Sequence, residues 1–440
     1  MHVFALLNGW RMRLTRIYLL LCIIFTMNMV NVMAQQPELG ECTERPTVIQ
    51  GVLYVDHLRW CVEGIVDDGT IEPMAFTALE AAPDGTLYAT RPLTGQVMAI
   101  RDTNDDFFPD TMETFVTGLT LPNGLAYHDD VLYVSGGAMI YRIEADGTVS
   151  IVVDDLPTGT GFWTGGITIG ADNRLYVTIG APCENCEFNP NERGLILSME
   201  LDGSDRQTVA TGFRNPSDVE FYRGELWTLD TSPRGYDSGI LDELNLVQTA
   251  GWYGFPYCLG NDTVNILSGD YSCDDVVRPQ LLFGSSASPR SLAAYPYATL
   301  PGTEDTLIIV LSGEPTQVDF NGYKVVMVNF DENNQPLGLT LLVPFRKDSG
   351  RQAFEPYTEL GYRARHIVTL SEQGWGLYPQ QPLAVAVNSR GWIYISITGG
   401  QIVALRPLDK ILPPRTIYPD WTPMNPDYSP DKSPVTSDDE

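Results

Sequence analysis

Amphipathic helical periodicity is nearly absent from this chain. No long stretch repeats apolar residues at the i, i+3, i+4, i+7 spacing of a helix face, which argues against a helical bundle. The best short helical candidate is the segment from Asp242 to Val247. Positive charge is scarce: 27 Lys and Arg stand against 56 Asp and Glu, a formal net charge of −29. Such a surface repels phosphate backbones, so nucleic acid is not expected as a partner. Long apolar runs are missing too. Ile17 to Met27 is an apolar stretch of 11 residues, too short to span a bilayer comfortably. The Cys183-Glu184-Asn185-Cys186 pair has no second Cys-x-x-Cys and no nearby His, which argues against zinc.

The N-terminus holds the pattern of an export signal. Arg11, Arg13 and Arg16 precede the apolar stretch, and Val32-Met33-Ala34 places small residues for cleavage. Residues 1–34 are therefore expected to be removed, with an uncleaved N-terminal anchor as the alternative. Cys22 follows Leu20-Leu21 inside the apolar run, unlike a lipidated cysteine. Cleavage leaves a secreted or periplasmic chain with no stable membrane span. Six cysteines remain in local pairs: Cys42 with Cys61, Cys183 with Cys186, Cys258 with Cys273. An even count in an exported chain favours disulfides, although spacing alone leaves all fifteen pairings open.

At 440 residues the chain is long for one hydrophobic core. Repeats escape that limit, because each unit packs mainly on its neighbours. One pattern recurs six times: a short apolar strand, a tight turn, then Leu-Tyr or a similar pair opening a second strand. The copies are Phe76–Ile100, Leu125–Ile143, Ile167–Ile179, Val219–Leu229, a weaker one from Leu292 through Leu307-Ile308, and Leu383–Leu405. Turn residues such as Asp84-Gly85 and Asp172-Asn173 supply the positive φ that a hairpin needs. Leu87, Leu132 and Leu175 lie 45 and 43 residues apart, the period of a four-stranded blade. The expectation is an all-β, six-bladed β-propeller over residues 71–412. Residues 35–70, with Val48 to Val55, should supply an outer strand that closes the ring. Residues 413–440 hold seven prolines and an acidic end, and are expected to stay disordered.

Propellers place function at the channel mouth, on the loops leading into the blades. The segments expected there are Phe162-Trp163-Thr164-Gly165-Gly166-Ile167, Gly212-Phe213-Arg214-Asn215-Pro216, Asp230-Thr231-Ser232-Pro233-Arg234, and Asp242-Glu243-Leu244-Asn245 leading into Gly251 to Cys258. These segments resemble the soluble glucose and sorbosone dehydrogenases, quinoproteins with a six-bladed propeller. The likeness runs over roughly residues 70–407 and is most specific in blades three and four. It implies oxidation of a small aldose-type sugar by hydride transfer to pyrroloquinoline quinone, held in the channel with Ca2+ and re-oxidised by an external electron acceptor. Position by position, it implies cofactor contacts from Arg214, Asn215, Trp163 and Arg234. It also implies calcium ligation by the backbone carbonyls of Ser232 and Pro233. An Arg fork suits carboxylates and quinone oxygens, and calcium prefers hard oxygen donors.

Three departures stand against the resemblance. Phe162 occupies the place of the family's histidine, which takes the sugar hydroxyl proton, and phenylalanine accepts none. Gln381 and Leu383 replace the arginines found near the cofactor before blade six. Ser232-Pro233 replaces the usual Asn-Gly. Asp230 is the best-placed substitute base, with a turn-capping role as its alternative. His57, His128 and His366 are expected at the surface. Trp163, Trp227, Trp252 and Tyr253 are candidates for a sugar-stacking platform, with Trp227 better suited to packing between blades. Besides the oxidoreductase, two functions stay open. One is a non-catalytic propeller binding sugar or protein. The other is a calcium-dependent lactonase or hydrolase, which needs a ring of side-chain oxygens of which only Asn215 and Asp230 are seen.

Overall fold

The computed structural model describes residues 60–68, 74–104, 108–233, 241–259, 263–264, 272–297, 305–314, 321–343, 352–353, 377 and 380–408. The proposed signal peptide, Val48 to Val55, Cys42, His57, Arg234, His366 and the C-terminal tail lie outside them. Every regular element among the described residues is a β-strand.

Among the described residues the strands form six sheets of four or five, each laid down mainly in chain order, and a separate two-stranded pair, Cys258–Leu259 with Thr263–Val264. The first strands of the six sheets are Leu79–Ala81, Pro122–His128, Thr164–Ile169, Val219–Tyr222, Pro289–Tyr295 and Pro382–Val387. Each touches the next, and the sixth returns to the first, so they ring a central channel. The fold is a six-bladed β-propeller, as the repeat predicts. Blade six is completed by Trp60–Asp67, which pairs antiparallel with Gln401–Pro407 from the far end of the chain.

Blade faces are covered on both sides, so the middle strands read as continuous apolar runs instead of alternating. Thr306–Leu311 is buried at all six positions. Trp227 is fully buried and meets Phe330 at 5.1 Å between ring centroids, sealing blade four against blade five. Serine hydroxyls stitch neighbouring blades near the channel. Ser135 donates to the Gly165 carbonyl at 2.8 Å, Ser217 to Pro289 at 2.9 Å, Ser312 to Pro382 at 2.6 Å and Ser396 to Phe76 at 2.7 Å.

The expected helix at Asp242–Val247 is a strand, Glu243–Leu246. Leu244 is fully buried opposite Leu229 and Leu281, while the Asn245 amide bonds Glu243 on the other face. Sheet partners on both sides outweigh a weak helical pattern in so short a segment.

A backbone irregularity recurs where the innermost strands meet the mouth. The ladder shifts by one residue between Pro122 and Gly124, between Pro289 and Ser291, and between Pro382 and Ala384. The extra residues are Asn123, Arg290 and Leu383. Such bulges re-aim a side chain without ending the strand.

Candidate functional site at the channel mouth

A cavity of ≈ 880 Å³ runs from the mouth down the channel. Its upper wall includes Phe162, Trp163, Arg214, Asn215, Thr231, Ser232 and Pro233, and its lower wall includes Glu80, Asp218 and Glu220. Six of the residues singled out from sequence thus meet in one space. Arg234 lies outside the described residues.

The Phe162 loop is held from behind by Arg193, a residue with no sequence signal. Its buried guanidinium donates to the carbonyls of Gly180 at 2.6 Å, Phe162 at 2.7 Å and Ala181 at 3.3 Å. Gly180 leaves the necessary room, since a Cβ there would lie 2.4 Å from the Phe162 Cβ. The Arg214 guanidinium carbon sits 4.3 Å from the Phe162 ring centroid, in cation–π contact. The same guanidinium pairs with the Glu184 carboxylate at 2.5 Å and donates to the Thr231 carbonyl at 2.8 Å and hydroxyl at 2.7 Å. Glu184 is presented by the loop that the Cys183–Cys186 disulfide closes. Arg214 is therefore fixed in place, with most of its fork already engaged.

Asp230, the candidate base from sequence, has its carboxylate occupied by the loop beside it. Its carboxylate accepts the backbone N–H groups of Arg214 at 2.9 Å, Asn215 at 2.7 Å and Thr231 at 2.9 Å. It lies behind the Arg214–Asn215 loop and is not part of the cavity wall. The same placement removes it from the ligand ring that a lactonase needs. Asp242 does for the next loop what Asp230 does for the first. It accepts the N–H of Ser232 and of Ser288, each at 2.8 Å, fixing the Ser232–Pro233 backbone.

No stacking platform is assembled. Trp163 lines the cavity, but Trp227 is core. Tyr253 is buried, stacked on Phe213 at 4.3 Å, and Trp252 pairs beside Thr211 at the edge of blade three. His128 ends an innermost strand beside Asp129, away from the cavity wall. Gln381 is turned to the blade junction, donating to Gly313 at 2.8 Å and Ser312 at 3.3 Å. Leu383 is buried. Both cysteine pairs in the described loops are bonded, Cys183–Cys186 and Cys258–Cys273. Cys61 is also disulfide-bonded.

Below the mouth the channel is acidic. Blades one and four, on opposite sides of the ring, place Glu80 and Glu220 at matching positions, opposite Tyr88 and Trp227. Ala126, Thr168, Ala293 and Ala386 occupy that position in the other blades. Glu80 accepts the Tyr127 N–H of blade two at 3.2 Å, and Asp218 accepts the Leu292 N–H of blade five at 3.0 Å. Burial pushes Glu80 up to about 8 and both Asp218 and Asp242 up to about 6. Glu220 rises well above the carboxylate range, through burial and then through the charges of Glu80 and Asp218. Glu243 rises through burial and then through the charge of Asp230.

These shifts give a stability prediction with a definite sign. Each folded-state value lies above the ordinary 3.8 or 4.5, so the folded chain binds more protons than the unfolded one between about pH 4 and 8. Their contribution is present at the acid end of that window and is lost as pH rises through the folded values. The thermal midpoint should be higher at about pH 5.5 than at about pH 8, and Glu80→Gln with Glu220→Gln should flatten the slope. A midpoint that rises with pH over this range would contradict it.

Residues 145–312 match the family described as Glucose / Sorbosone dehydrogenase, so the resemblance in blades three and four holds. The propeller superposes on the holo form of the pyranose dehydrogenase PQQ domain from Coprinopsis cinerea with a TM-score of 0.62 and 15% identity, covering 83% of this chain and 99% of that one. A calcium structure of a carbohydrate-active enzyme from Trichoderma reesei gives 0.60 and 18%, covering 79% and 95%. The soluble aldose sugar dehydrogenase of Escherichia coli, in its apo form, gives 0.54 and 14%, covering 79% and 99%. In sequence, an uncharacterised protein of Borreliella burgdorferi is 28% identical over 173 residues, which is 34% of this chain and 45% of that protein's length.

Proposed function

We propose that this propeller, which has the fold of the quinoprotein sugar dehydrogenases, is an extracytoplasmic oxidoreductase for small aldose-type sugars. The observation behind the proposal is convergence. Arg214, Asn215, Ser232, Pro233 and residue 162, each assigned from sequence, line one cavity at the channel mouth. Disulfides in the mouth loops suit an oxidising compartment.

The donor set fits the cofactor pair. No group of three or more His, Cys, Asp or Glu side chains among the described residues is arranged for a metal. Calcium on the carbonyls of Ser232 and Pro233 needs no such group, and Asp242 fixes that backbone. Asn215 offers an amide, and Trp163 an aromatic surface. Pyrroloquinoline quinone, when bound there, would supply the hydride acceptor. The chain's own residues would orient the sugar and exclude water, while Arg214, held over Phe162, would keep a positive charge beside the reacting groups. Phe162 gives no proton acceptor, so turnover is expected to be slow. An external electron acceptor would complete the cycle.

Titration calorimetry of the full chain with pyrroloquinoline quinone tests this, run with calcium and again with chelator. Micromolar or tighter binding, about −8 kcal/mol or better, should vanish with chelator, and dye-linked aldose oxidation should be weak but dependent on both. Absence of binding under either condition would remove the oxidoreductase reading. The Phe162–Arg214 stack also favours a second reading, a sugar- or protein-recognition propeller without turnover. That reading predicts sugar binding with no oxidation even when cofactor is bound.

A further inference from the structure

Arg290 stands in the mouth with its charge uncommitted. It is the extra residue in the bulge that opens the innermost strand of blade five, between Pro289 and Ser291. It lines the same cavity as Arg214 and Gln381. No hydrogen bond, ion pair or ring contact engages its guanidinium among the described residues, and burial alone lowers its pKa. A half-buried cation without a partner carries a desolvation cost that a ligand supplying the counter-charge would offset.

Its place in the repeat is informative. Pro289-Arg290-Ser291-Leu292-Ala293 and Pro382-Leu383-Ala384-Val385-Ala386 enter their blades in the same register, with the bulge at the second residue. Arg290 in blade five is thus the counterpart of Leu383 in blade six, one of the two positions where the resembling family has arginine. The positive charge missing from blade six is present one blade earlier on the same rim. Glu80, Asp218 and Glu220, deeper in the channel, supply no positive charge, so an anionic group would stay at the level of Arg290.

We propose that Arg290 forms a carboxylate-binding subsite at the channel mouth, pairing its planar fork with a carboxylate of the ligand. The carboxylate comes either from the quinone cofactor or from an acidic sugar substrate. The proposal deepens the oxidoreductase reading, and it depends on that reading only for which ligand brings the carboxylate.

The test compares the full-length wild type with Arg290→Gln and Arg290→Lys by calorimetry. The probes are pyrroloquinoline quinone with calcium, galacturonate and glucose. Arg290→Gln should weaken a carboxylated probe by about 10- to 100-fold while leaving glucose binding within about twofold. Arg290→Lys should fall between, because a point charge cannot pair in two places. Loss confined to the quinone assigns the subsite to the cofactor, and loss confined to galacturonate assigns it to substrate. If wild type binds galacturonate but no quinone, and Arg290→Gln loses it, the subsite stands while the quinone reading falls. Equal binding of the quinone by wild type and Arg290→Gln, with no galacturonate effect, overturns the subsite and leaves the quinone reading intact. Equal weakening toward all three probes, or no binding of either carboxylated probe by wild type, also overturns it.

Discussion

Under the proposed function, Phe162→His is expected to raise quinone- and calcium-dependent aldose oxidation by about 10²- to 10⁴-fold, the usual contribution of a positioned general base. The gain depends on the ring landing where Phe162 now lies. Arg193 fixes the residue 162 carbonyl together with those of Gly180 and Ala181, and Gly180 keeps the space clear. An imidazole is smaller than a phenyl ring and requires no movement of that frame. Arg214, 4.3 Å from the ring centroid, would oppose imidazolium formation, so the new histidine should titrate below about 6.5 and stay ready to accept a proton at neutral pH. The pH profile of kcat should show that low apparent pKa. Phe162→Ala is the control, removing the ring without supplying a base. Unchanged oxidation in Phe162→His, with cofactor still bound, would mean that residue 162 does not face the sugar hydroxyl.

Glu63→Ala should cost about 3–5 kcal/mol of stability, measured by urea denaturation. Glu63 and Arg406 are 0% and 1% exposed and join the first and last strands of blade six, with Arg406 Nε donating to Glu63 at 3.1 Å. Arg406 also reaches the Cys61 sulfur at 3.4 Å and lies 6.0 Å from the Phe108 ring centroid. Removing one partner leaves a charge sealed in the seam between the ends of the fold. Replacing both, as Glu63→Leu with Arg406→Met, removes the charges together and should recover most of the loss. Destabilisation below about 1 kcal/mol by Glu63→Ala would show that the pair does not secure the seam.

The architecture was legible where turns are short. Asp84-Gly85 and Asp172-Asn173 mark hairpins so plainly that blades one and three can be read residue by residue. Blade five was faint for the opposite reason. Its second strand opens on Leu307-Ile308 without the aromatic, and the sequence spacing from Tyr295 to Thr306 and from Leu311 to Lys324 breaks the period. Residues Phe162, Trp163, Arg214, Asn215, Ser232 and Pro233 were named from sequence and share the cavity. The direction in which Asp230 points was not legible. A carboxylate after a strand can face a channel or cap the loop beside it, and only the three N–H groups aimed at it decide between them. Arg193 and Glu184 act through contacts distant in sequence, which spacing does not reveal. Arg290 had a faint signal in the Pro-x-small-apolar-small frame shared with residues 122–126 and 382–386. A bulge, however, is a property of the ladder and shows only when partners are matched.

The seam in blade six also fixes an order of events. Trp60–Asp67 is made early, yet its partner, Gln401–Pro407, is among the last parts of the ring to be synthesised, and Trp60 faces Pro407 across the pair. Blades one to five can pack on their neighbours as they emerge, each through contacts close in sequence. The first strand must wait with its ladder groups unpaired, an edge open to other chains. Closing so long a loop is entropically slow even though it is stable once made. A growing chain can therefore assemble this ring blade by blade but lock it only at the end, and the interval before locking is when it is most exposed to pairing with the wrong partner.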